Sequence, residues 1–185
     1  MKFNGNATST EIFQEIAKRQ ILALMFHDSM YDLYSFLNLS GFKQWHKHQY
    51  LSESKEFLET KKYFADVHNK IINIENPGEP KLVVPESWYE HTRFDVTPQV
   101  IKQYVESSFN AYRNWEEESC AVYESCANEL LNNGNVSDFA WVQKLIEDVQ
   151  TELKDVYECM LKLRYSNYDS VYILDLQKEI RKKYK

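Results

Sequence analysis

Apolar side chains recur every three to four residues through four long stretches of this chain, with polar positions between them. That is the period of an α-helix laying one face on a core. In the first stretch Ile16, Ala23, Met30 and Leu37 form one row beside Phe13, Gln20, His27 and Tyr34. The second carries Tyr50, Phe57, Phe64 and Ile71 beside His46, Glu53, Thr60 and Val67. Phe109, Glu116, Tyr123 and Leu130 run beside Val105, Tyr112, Ser119 and Cys126 in the third. In the fourth, Val142, Val149, Val156 and Leu163 accompany Leu145, Glu152 and Cys159. The rows predict helices over 9–37, 42–72, 98–132 and 138–164, and a short amphipathic helix over 170–184.

Glycine and proline mark where these helices stop, because both are costly in a helix interior. Gly5 lies in the N-terminal tail and Gly41 and Gly134 in two short turns. Gly78, Pro77, Pro80, Pro85 and Pro98 fall together near the middle. Two helices joined by a tight turn, a long connection over 73–97, and two more joined by a tight turn make an all-α four-helix bundle with one long crossover. Ser9 or Thr10, and Ser137 or Asp138, suit the N-caps of the first and fourth helices. Thr97-Pro98 is an N-cap followed by proline at the first helical position. The crossover has room for an extended piece over 81–84 and carries an aromatic run, SWYEHTRF.

Composition fits one domain over 1–185, since 43% hydrophobic and 15% aromatic residues can bury a real core. No apolar run is long enough to span a membrane, and the opening MKFNGNATSTEIF has no signal-peptide core. A net charge of −6 argues against generic nucleic-acid binding. Cys120, Cys126 and Cys159 form neither an even framework nor a CxxC, so they read as reduced thiols and place the chain in the cytoplasm. A phosphate-cradling loop and a Ser/His/Asp arrangement are both missing.

Each set of rows contains an ionisable intruder near mid-helix: His27, Glu53, Glu116 and Glu152. Burying one charge alone is prohibitive, so four need a shared explanation. His27 precedes the first turn by about 12 residues and Glu53 follows it by about 13. Glu116 and Glu152 stand about 18 residues either side of the second turn. At about 1.5 Å per residue, each antiparallel pair meets at one level. Glu56 and Asp148 reinforce the cluster from neighbouring faces. Carboxylates with an imidazole at mid-bundle make a hard, oxygen-rich pocket for iron or manganese, with room for two ions sharing a bridging Glu. The histidines of the HKH run, His46 and His48, fall on different helix faces, which argues against chelation there.

At AKRQILAL, GFKQWHKHQYLSES and SDFAWVQKLIEDVQTELKDV the chain resembles the ferritin-like family, over about residues 10–165. The resemblance implies an up-down-down-up bundle, a carboxylate-bridged metal centre and assembly into a homo-oligomer. It puts the second-helix Glu at Glu53, the third-helix Glu at or beside Glu116, and the fourth-helix ligand region at Glu147-Asp148. Two positions depart from the family pattern. Leu24 stands where the first helix has a Glu, and Glu56 replaces the motif histidine of the second. The sequence therefore supports iron oxidation, storage or oxygen-dependent chemistry at Glu53, Glu56, Glu116, Asp148, Glu152 and His27. The alternative is a ferritin-like fold that has lost its metal centre and serves as an interaction module.

Overall fold

A computed structural model describes residue 3, residues 5–80 and residues 95–184. The extended piece at 81–84 and the SWYEHTRF run lie outside the described residues. Among the described residues there are five α-helices: α1 (Ser9–Phe36), α2 (Ser40–His68), α3 (Pro98–Asn132), α4 (Val136–Tyr165) and α5 (Ser170–Lys183). No strand occurs among the described residues.

The helix starts follow from local hydrogen bonding. Thr8, one residue before the expected caps, opens α1, because Thr8-x-x-Glu11 can close a capping box. Its hydroxyl accepts from the Glu11 amide at 3.3 Å and the Glu11 carboxylate accepts from the Thr8 amide at 2.8 Å. Ser9 is engaged elsewhere, donating to Asp138 Oδ2 at 2.8 Å. Thr97 caps α3 as expected, accepting from the Val100 amide at 3.3 Å with Pro98 in the first turn. The expected cap of α4 is not used. That helix begins at Val136, and Asp138 sits buried in its first turn, bound by Ser9, Tyr63 and His68.

The turn between α1 and α2 corrects one expectation. Asn38, with φ of 58°, makes the left-handed step, and Gly41 lies inside the first turn of α2. Glycine is needed there because α5 comes so close. A Cβ on Gly41 would stand 1.7 Å from the carbonyl oxygen of Gln177. Gln177 also accepts the Gly41 amide through Oε1 at 2.7 Å. At its far end α2 stops at Asn69, left-handed with φ of 52°, instead of continuing to 72.

Contacts between helices give the topology. His27 meets His46 and Gln20 meets Thr60, so α1 and α2 are antiparallel. Arg19 meets Ser119 and Tyr34 meets Ser108, so α3 also runs against α1 and hence parallel to α2. Ser9 with Asp138, at the start of α1 and of α4, sets those two running the same way. The result is an all-α, up-down-down-up bundle whose crossover joins α2 to α3, with α5 packed on α2 and α3.

The rows of α1, α3 and α4 are buried almost throughout. Those of α2 are only half right. Tyr50, Val67 and Ile71 are exposed, while Phe42, Trp45, His46, Gln49, Glu53, Thr60 and Phe64 face inward. The apolar core consists of two clusters. One surrounds Phe26, Met30, Phe42, Trp45, Phe109 and Met160, near the α1–α2 turn. The other surrounds Ile12, Ile16, Phe64, Cys126, Leu130 and Val142, near the α3–α4 turn.

Candidate metal centre

Between those clusters lies a polar layer fed by all four long helices. His27 from α1, Glu53 from α2 and Glu152 from α4 each bring one ligand atom to a group spanning no more than 4.8 Å. Glu116 of α3 completes the ring, its Oε1 lying 3.9 Å from His27 Nε2. His27, Glu53 and Glu116 are buried, and Glu152 is half-buried at one edge. The packing that sets this geometry is aromatic. Tyr112 lies edge-on to the His27 ring, and Phe26 packs against both.

Buried polar atoms normally have partners. Here His27 Nε2, Glu53 Oε2, Glu116 Oε1 and Glu152 Oε2 have none among the described residues. Four orphaned atoms from four helices at one height are a donor set of carboxylate oxygens and an imidazole nitrogen, which suits Fe(II) or Mn(II). The electrostatics agree. Burial first, then repulsion from Glu56 and Glu116, raises the Glu53 carboxyl well above its ordinary value, and Arg19 pulls the other way. Glu152 is raised by burial and by Glu116, Glu53 and Glu56. Burial lifts Glu116 to about 8, and burial with Asp148 lifts Glu56 to about 7. His27 is pushed down to about 3 by burial. Without a cation the pocket favours neutral groups throughout.

The remaining two sequence-derived residues lie farther out. Glu56 is half-buried beside Glu53, and Asp148 is exposed. Both line a cleft of about 330 Å³ between α2 and α4, where Glu152, Glu59 and Tyr184 also lie. The structure thus brings His27, Glu53, Glu116 and Glu152 together in one polar layer and places Glu56 and Asp148 in the cleft that Glu152 also lines. Two positions named from the family pattern are not buried. Leu24 is half-buried, whereas Gln20, one turn earlier, is buried; its Nε2 donates to Thr60 Oγ1 at 3.1 Å and its Oε1 has no partner among the described residues. Glu147, like Asp148, faces solvent on α4, and the inward carboxylate is Glu152, one turn on.

Three residues escaped the sequence reading. His46 is buried with Nδ1 at 3.0 Å from His27 Nδ1. Arg19 reaches the layer from α1 and is the cation beside Glu53 and Glu116. Gln49 is buried and donates to the Tyr112 hydroxyl at 3.3 Å. The usable signal was spacing: Gln49 stands four residues before Glu53 and His46 seven, on the same helical face.

The fold has counterparts among solved structures. An open-pore ferritin from the hyperthermophilic archaeon Archaeoglobus fulgidus matches with a TM-score of 0.76 at 16% identity, over 95% of this chain and 98% of that one. An engineered closed form of that ferritin gives 0.76 at 16% identity, over 95% and 97%. A humanized archaeal ferritin gives 0.76 at 14% identity, over 95% and 96%. No protein-family model matches the chain, and no curated protein does. At such identities the likeness establishes the fold. The chain is a divergent ferritin-like four-helix bundle with a short C-terminal helix. No described helix is long and apolar enough to cross a membrane.

Proposed function

We propose that this protein is a ferritin-like metal-binding protein that takes up iron, or manganese, in the cavity formed by His27, Glu53, Glu116 and Glu152. The observation that carries the reading is the convergence of ligand atoms from His27, Glu53 and Glu152 within 4.8 Å, with buried ligand atoms that have no hydrogen-bond partner among the described residues. Glu53 and Glu116 are the central ligands. Glu56 and Asp148, on the cleft side, supply carboxylates for a second ion, which makes the site dinuclear. Iron there supplies oxygen activation, in iron oxidation and storage or in oxygen-dependent chemistry. The chain's own contribution is to hold four donors at one height, to exclude water with Tyr112 and Phe26, and to accept protons on carboxyls that are already proton-loving. Self-assembly into a homo-oligomer in the cytoplasm belongs to the same reading, and exposed Leu51, Leu58, Leu161 and Tyr165 supply apolar surface for it.

A second reading, an interaction module on the same fold, is favoured by the Gln20–Thr60 hydrogen bond. It places neutral groups about two helical turns from Glu53. Calorimetry separates the two. Fe(II), kept anaerobic, or Mn(II) raises the melting temperature of the metal-binding protein, by about 2.7 kcal/mol of stability at a free-ion concentration 100 times Kd. Glu53→Gln abolishes the rise. A flat wild-type response at millimolar metal removes the metal-binding reading and leaves the interaction module.

A further inference from the structure

His27 and His46 face each other through the same ring atom, Nδ1 to Nδ1, at 3.0 Å. Two imidazole nitrogens at that distance share one proton, so one ring donates and the other accepts. If His46 donates, neutral His27 must carry its own hydrogen on Nε2, and that nitrogen has no lone pair to offer a metal. If His27 donates, its Nε2 lone pair is bare. That atom faces Glu116 Oε1 at 3.9 Å and has no hydrogen-bond partner among the described residues.

The position of His46 is set by packing. Its ring lies parallel to Tyr34, 5.4 Å away and inclined by 13°, and 4.8 Å from Tyr112. Its own Nε2 is buried without a partner. Among the described residues, then, the polar contact of this fully enclosed imidazole is His27. A phenyl ring would fill the same space at lower desolvation cost. The nitrogen is explained by what it does for its neighbour.

We propose that His46 is a positioning residue for metal binding: by accepting the Nδ1 proton of His27, it presents His27 Nε2 as a free ligand to the ion held by Glu53, Glu116 and Glu152. This inference rests on the metal-binding reading above. A ligating histidine is commonly held through its other ring nitrogen, and loss of that partner costs about 10–100-fold in metal affinity. Here the acceptor is a second imidazole, from the antiparallel neighbouring helix.

The test compares Mn(II) affinity of the full chain with that of His46→Phe and His46→Asn. Phenylalanine keeps the aromatic packing and removes the acceptor. Asparagine retains an acceptor oxygen at about the reach of Nδ1. His46→Phe is expected to bind Mn(II) about 10–100-fold more weakly, and His46→Asn near the wild-type level. Nitrogen NMR of the Zn(II)-loaded wild type gives an independent readout. It should show the shared proton on His27 Nδ1, coupled across the hydrogen bond to His46 Nδ1. Undiminished affinity in a folded His46→Phe, or a proton residing on His46 Nδ1 in the loaded protein, overturns the assignment. If His46→Phe does not fold, the NMR result on wild type decides alone. A wild type that takes up neither ion overturns the metal-binding reading and this role with it, whereas uptake with an unchanged His46→Phe overturns only the role.

Discussion

The guanidinium of Arg19 lies over the indole of Trp115, its central carbon 3.5 Å from the ring centroid. Two hydrogen bonds fix it there: Nη2 donates to the Trp115 carbonyl at 2.6 Å and Nε to Ser119 Oγ at 2.8 Å. Its charge offsets part of the repulsion among Glu53 and Glu116, whose carboxyls it draws back toward ionisation. At pH 5.5 Glu116 is protonated and has little use for a counter-charge; at pH 8 it is half ionised. Arg19→Met should therefore destabilise the metal-free protein at both pH values through lost hydrogen bonds, and more at pH 8. Thermal melts in chelator measure this, and equal losses at the two pH values would show that Arg19 acts through packing alone.

The wild-type pH profile has a predictable shape. His27 is depressed to about 3, so the unfolded chain binds more protons between that value and its ordinary range, and stability rises with pH there. Glu116, raised to about 8, and Glu56, raised to about 7, act oppositely: the folded state binds more protons, so their contribution is present at low pH and lost as pH rises through those values. Above about 6.5, the ordinary histidine pKa, only the falling limb remains. The metal-free melting temperature should decline from pH 6.5 to pH 8.5, and Glu116→Gln should flatten the decline. A rise over that interval would contradict the buried-carboxyl picture.

Packing makes a sharper distinction on α2. Phe64 is fully buried against Phe13 and His68, whereas Lys55 projects into solvent. Phe64→Ala should cost about 3–5 kcal/mol through lost transfer energy and a cavity. Lys55→Ala should stay within about 0.5 kcal/mol of wild type. Chemical denaturation of both variants tests the helix face directly.

Gly41→Ala tests the docking of α5. The new methyl would meet the Gln177 main chain, which cannot swing aside as a side-chain tip can. The expected result is release of α5 with the bundle intact: faster hydrogen exchange across Ser170–Lys183 and loss of the Trp45–Tyr184 stack from the near-ultraviolet spectrum. Unchanged exchange in α5 would show that the contact is tolerated.

The sequence announced the bundle because α1, α3 and α4 repeat their rows without interruption, and the Thr97-Pro98 start obeys local chemistry that tertiary structure had no reason to override. On α2 the same rule misled. Its first turns are covered by α5, which draws Phe42 and Trp45 inward and leaves Tyr50 outside, a contact no local pattern records. Glu53, Glu116 and Glu152 were legible as charges out of place in apolar rows. His46 stood in the same row as Glu53, but its pairing with His27 is a contact between two helices that no local pattern records. Leu24 is half-buried where Gln20, one turn earlier, is buried, and Asp148 is exposed where Glu152, one turn later, is half-buried. Residues four apart share a helical face, so the pattern gave the face, and only burial separates one turn from the next.

The two apolar clusters lie on either side of the polar layer, and that arrangement bears on cooperativity. A bundle of this length with one continuous core melts as a unit. Here the half around Phe26 and Phe109 and the half around Ile16 and Leu130 are separated by a slab of polar groups whose carboxyls burial and one another hold toward the protonated form. The slab is therefore a fracture plane. Its strength is set by what occupies it, so a cation there would act less as cargo than as mortar, turning two loosely joined halves into one folding unit.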